Sequence, residues 1–146
     1  MIDIGQKLRK AYFTALNGNV LYEGGAVPIV DEKLDTQISE QDVYILMQAQ
    51  NEQDVPNRCY PITDCDISMR IVSQLAAVGK KEVVENISNQ ILTLLFPNHN
   101  YNSLSIDAPL KIIYAVKTNS EYSPLVQNDR GFIITKTLTI KNRITQ

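Results

Sequence analysis

The stretch Ile62-Thr63-Asp64-Cys65-Asp66-Ile67-Ser68-Met69-Arg70-Ile71-Val72 decides the fold class. Cys65, Ile67, Met69 and Ile71 alternate with Asp64, Asp66, Ser68 and Arg70. A period of two is the spacing of a β-strand, whose successive side chains leave on opposite faces. Strict apolar–polar alternation predicts one buried face and one wet face, as in antiparallel sheets.

Upstream, Val43–Gln50 repeats the pattern, with Val43, Ile45, Met47 and Ala49 on one face. Polar loops over 31–42 and 51–61 bound it. Downstream, over 80–96, the period lengthens. Val83, Val84, Ile87, Ile91, Leu94 and Leu95 form a helical stripe that Pro97 ends. After a polar loop from Asn98 to about Asp107, Leu110–Thr118 reads as a strand with Leu110, Ile112, Tyr114 and Val116 in register. A polar tip over 119–130 leads into a long final strand, Gly131–Arg143. There Phe132, Ile134, Leu138 and Ile140 share one face, and Thr135, Thr137 and Thr139 the other.

At the start of the chain, Ile4, Leu8, Ala11, Tyr12 and Ala15 recur at helical spacing over 3–17. Asp3 suits the N-cap, and Asn17-Gly18 stops the helix. Val20–Tyr22 reads as a short strand, and Gly24-Gly25 turns the chain towards Val27-Pro28-Ile29-Val30. The expectation is an α+β fold in one domain over 1–146: a mainly antiparallel sheet with two amphipathic helices packed on one face.

With 44% hydrophobic and 21% charged residues, 146 residues can bury a core without metal or disulfides. A net charge of −2 gives no general pull onto nucleic acid or anionic membranes. Apolar runs such as Leu94-Leu95-Phe96 are far short of a membrane span, and Met1-Ile2-Asp3-Ile4 has no signal-peptide pattern. Cys59 and Cys65 make neither a disulfide framework nor a zinc spacing. The expected setting is a reducing cytoplasm, or a particle assembled there.

Candidate chemistry is sparse. His99 is the one histidine, and no Cys, Asp or Glu lies near it at metal-ligand spacing, so it reads as a loop residue. Without a second base there is no triad. Gly24-Gly25 lacks phosphate-loop spacing and reads as a turn. Asp64 and Asp66 share a strand face and could hold Mg²⁺, but alternating polar residues are also what any solvated sheet face shows. Cys65 reads as a small core residue and Cys59 as a loop end. Lys80-Lys81 reads as a solvated helix start. No catalytic set, cofactor or metal is expected. The long polar loops and the final hairpin read instead as contact surface, with Tyr122 and Leu125 as anchors and the Thr135, Thr137 and Thr139 face as a subunit-facing surface.

The layout resembles the tail-completion proteins of tailed bacteriophages, also called tail-terminator or head-to-tail joining proteins. The resemblance covers most of the chain. It rests on the opening helix around Leu8-Arg9-Lys10-Ala11-Tyr12-Phe13-Thr14-Ala15-Leu16 and on Val27-Pro28-Ile29-Val30. It continues through the strands Tyr44-Ile45-Leu46-Met47 and Thr63–Val72, the helix around Val83-Val84-Glu85-Asn86-Ile87, and the closing strands. The polar loops are longer than a minimal member needs. The resemblance implies a virion protein: a homo-oligomeric ring at the head–tail junction, serving as a tail terminator or as a collar ring. Such a ring docks a portal or adaptor on one side and tail proteins on the other, and passes DNA without specific binding or contact with a membrane. The rival readings are a small adaptor that binds peptides by strand addition, and a metal-dependent enzyme using Asp64 and Asp66.

Overall fold

The computed structural model describes residues 3–31, 42–56, 59–74, 81–98, 104–123, 126–128 and 131–146. Helix α1 is Ile4–Leu16, followed by the short strands β1 (Leu21–Tyr22), β2 (Gly25–Ala26) and β3 (Ile29–Asp31). Two long strands come next, β4 (Val43–Val55) and β5 (Ile62–Ser73). Helix α2 (Lys81–Leu95) precedes β6 (Lys111–Tyr122), β7 (Val126–Asn128) and β8 (Gly131–Thr145). The main sheet runs β3-β4-β5-β8-β6, with β7 paired to β8. All its pairings are antiparallel except β3 with β4. The fold is α+β.

Local signals end α1 where the sequence places them. Asp3 Oδ1 accepts from the Gln6 backbone N–H at 3.1 Å, which satisfies a donor left free in the first turn. At the other end the Asn17 N–H reaches Phe13 O, and Gly18 takes the left-handed φ of 78° that a side chain would disfavour. Gly24 belongs to a hairpin turn. Glu23 and Gly24 both have positive φ between the paired Tyr22 and Gly25, as a two-residue turn of the I′ kind requires.

One apolar core lies between the helices and one face of the sheet. Leu8, Tyr12 and Leu16 of α1 and Val84, Ile87, Ile91 and Leu95 of α2 meet Ile45, Met47, Cys65, Ile67, Met69, Ile71, Leu138, Ile140 and Ile144. Each of these side chains is almost wholly withdrawn from water. The alternation in β5 has the phase read from the sequence, because residues two apart share a face.

Several expectations need correction. Val43–Gln50 is only the first part of β4, which runs on to Val55 through residues expected to be loop. A bulge at Ala49 breaks the alternation, so Glu52 and Asp54 fall opposite the inward-facing Cys65 and Thr63. Strand β6 extends to Tyr122, and β7 occupies part of the expected tip. A bulge at Ile113 reverses the phase of β6. Ile112 and Ala115 pack against the core, whereas Tyr114 and Val116, expected beside Ile112, are exposed. The polar face of β5 is half-buried rather than wet, because β5 is central and side chains of β4 and β8 flank it. Tyr44, Leu46 and Val72 are buried on that same face. The final strand β8, whose threonine face was expected to meet a neighbouring subunit, lies inside the sheet between β5 and β6. His99, Leu125 and the stretch 32–41 of the expected loop lie outside the described residues.

Candidate functional site

The polar face of the sheet carries the aspartates that were candidate metal ligands. β5 presents Asp64, Asp66, Ser68 and Arg70 there. Register sets Asp64 opposite Arg143 and Asp66 opposite Lys141 on β8. Arg143 donates to both Asp64 oxygens, Nε to Oδ1 at 2.6 Å and Nη2 to Oδ2 at 2.8 Å, and Lys141 Nζ lies 3.1 Å from Oδ2. The Asp64 side chain is 12% exposed. The Arg143 hydrogen bonds outweigh the opposing effect of burial and, with Lys141, lower the Asp64 pKa to about 2. Both oxygens are therefore engaged by cations, which is the wrong electrostatic setting for a metal ion. Among the described residues no group of three or more His, Cys, Asp and Glu side chains is placed to hold a metal.

The face continues onto β8 and β6. Ser68 and Thr139 hydroxyls lie 3.1 Å apart, and the Thr118 hydroxyl donates to Thr139 O. Thr135, Thr137 and Thr139 are all half-buried in this row. The Arg143 guanidinium sits over the Tyr114 ring at 5.2 Å. Asp66 Oδ1 and Arg70 Nε are shielded and find no hydrogen-bond partner among the described residues.

Tyr122, expected as a contact anchor, lies at the far end of β6 on the helix side. Its hydroxyl donates to Glu85 Oε1 of α2 at 2.7 Å, and Lys81 and Lys136 lie over its ring at 4.9 and 5.1 Å. Burial, reinforced by the Glu85 carboxylate, pushes its pKa up to about 12. The residue thus ties β6 to α2 while remaining partly exposed.

Two features were not read from the sequence. First, among the described residues β6 is the outer strand at one end of the sheet, and β3 lies beside β4 at the other. Second, Ile113, Tyr114 and Val116 of β6 are exposed at 48%, 39% and 46%. Only the bulge, which no pattern in the sequence announces, brings these apolar side chains together on an outer edge.

Among solved structures, the chain is similar to one in a structure described as the virion of a native gene transfer agent (GTA) particle. The two are 8% identical, the TM-score is 0.72, and the match covers 100% of each chain. The likeness is one of fold. No family model and no curated protein matches it. Among the described residues no helix is long and apolar enough to cross a membrane.

Proposed function

We propose that the protein is a structural, non-enzymatic virion subunit that forms a closed ring at a phage head–tail junction, as a tail terminator or as a collar ring. The observation that carries this reading is the end-to-end likeness of the fold to a chain of a gene transfer agent virion. The aspartate pair supports it from the chemical side, because Asp64 is committed to Arg143 and Lys141. The surface supports it too. A long strand edge bearing Ile113, Tyr114 and Val116 is a feature that monomers protect and assemblies cover. Such a ring joins a portal or adaptor to tail proteins and lets DNA pass, and a net charge of −2 suits a conduit that must not grip DNA. Native mass spectrometry and electron microscopy of the purified protein, alone and with isolated tails, test this. Closed rings, or rings capping tail ends, are the expected result. A protein that stays monomeric and binds no tail would overturn the reading.

A further inference from the structure

Strand β6 is the outer strand at one end of the sheet, and no described strand lies beyond it. It is exposed at every position but Ile112 and Ala115. An edge of this kind offers backbone groups that another strand can meet. Its middle carries the exposed Ile113, Tyr114 and Val116 and no proline. Its charges are spread along it, with Lys111 at one end, Lys117 past the middle and Glu121 near the other end.

The register with β8 sorts these side chains. Lys111, Tyr114, Val116 and Glu121 stand opposite Thr145, Arg143, Lys141 and Thr137, and share the outer face of the sheet. Ile112, Ala115, Lys117 and Ser120 stand opposite Ile144, Asn142, Ile140 and Leu138, and turn to the helix side. A bulge at Ile113 and another at Thr118 interrupt the order. A second β6 laid antiparallel to the first keeps both faces in phase only when the axis between the strands falls between the two bulges, so that each half contains one. Of the positions there, Val116 is the one that sets Lys111 of each copy opposite Glu121 of the other, outer face to outer face.

We propose that two copies of the chain pair along β6 about a two-fold axis at Val116, which joins their sheets into one. Backbone groups of the two edges supply the bonding. Two Lys111–Glu121 pairs, one at each end, fix the register. In the middle, Val116 meets its own copy and the exposed Tyr114 of each chain lies beside it, so that apolar surface is taken from water on both copies. Lys117 lies diagonal to its own copy on the helix side, which holds the affinity down. The contact is isologous and closes at two, so it is a further association of the chain and not the contact that makes a ring.

Sedimentation equilibrium of the full chain at low salt measures the pairing, with circular dichroism confirming that each variant folds. The native chain should form dimers. Lys111→Glu and Glu121→Lys, each alone, put like charges at both ends and should pair about tenfold more weakly. An equimolar mixture of the two restores opposite charges at both ends and should recover the native affinity, as should the double variant. Cross-linking gives a second measurement, in a Cys59→Ser background because Cys59 is exposed and Cys65 buried. Val116→Cys should give covalent dimers with a short bis-maleimide. Asn119→Cys, about 20 Å from its own copy in this register, should give none. Single-charge variants that pair as the native chain does, a mixture that fails to recover, or cross-linking at residue 119 as readily as at 116 would overturn the pairing. A native chain that is monomeric alone and still forms rings on tails would overturn it too, and would leave the ring reading standing.

Discussion

Replacing Tyr12 by phenylalanine removes one hydroxyl from the middle of the core. Tyr12 and Asn142 are both 0% exposed, and the Tyr12 hydroxyl donates to Asn142 Oδ1 at 2.7 Å. Asn142 Nδ2 donates in turn to Cys65 O and Ile140 O, both at 3.2 Å. The pair joins α1 to β8 and β8 to β5. Burial raises the Tyr12 pKa far above its usual value and outweighs the lowering by the Asn142 hydrogen bond, so the hydroxyl remains a donor. Tyr12→Phe keeps the ring and strands Asn142 Oδ1 without its donor. A buried acceptor left unpaired costs about 1–3 kcal/mol. For a chain of this size each kcal/mol lowers Tm by about 2–4 °C, so a fall of about 2–12 °C is expected. Asn142→Leu should cost at least as much, since it leaves the buried Tyr12 hydroxyl without its acceptor and also removes the two Nδ2 bonds to Cys65 O and Ile140 O. The double variant should be less destabilised than the sum of the two by about 1 kcal/mol or more, because it removes both ends of the Tyr12–Asn142 bond. Urea unfolding of all four proteins measures this. A Tyr12→Phe protein as stable as the native chain, with additive double-mutant energies, would refute the claim that this bond organises the core.

Three further outcomes follow from the geometry. Ile67→Asp puts an unpaired charge under both helices at a site 1% exposed, and should cost upwards of about 4 kcal/mol; a thermal melt like that of the native chain would show the strand phase to be wrong. The Asp64 pKa is lowered on folding, so its contribution is present above the unfolded value near 4 and lost as pH falls towards about 2. The whole shift corresponds to about 2 kcal/mol, which screening on a strand face reduces to about 1 kcal/mol, and Asp64→Asn should flatten the stability–pH curve in that window alone. Gln90 bonds both backbone groups of Leu21, accepting at Oε1 and donating from Nε2 at 2.8 Å each, so Gln90→Ala should speed amide exchange at Leu21 while leaving β5 protected.

Periodicity made most of the fold legible. The phase of β5, the stripe of α2, the N-cap at Asp3 and the stop at Gly18 depend on neighbours within one or two turns of chain, and they stand where the sequence puts them. Legibility failed where one extra residue slipped into a ladder. The bulges at Ala49 and Ile113 cost no pattern in the sequence, yet each transfers the following side chains to the other face. Asn142 was unreadable for a related reason. It occupies a core position of β8, and its partners Tyr12 and Cys65 are far away along the chain.

The polar tracts mark the division. Residues 51–55 and 119–122 have loop-like composition, but they are strands because β5 and β8 offer them hydrogen-bonding partners. Which strand is an edge is likewise a property of pairing order. The long threonine-bearing β8 carries the stronger pattern yet lies inside the sheet, and β6 takes the outside. Sequence by itself determined which residues are strand or helix at the centre of each element, because side-chain period is a local property. Tertiary structure alone decided which strands meet and which face the ends of β4 and β6 present. Those depend on registers between segments separated by tens of residues, and no local pattern encodes them.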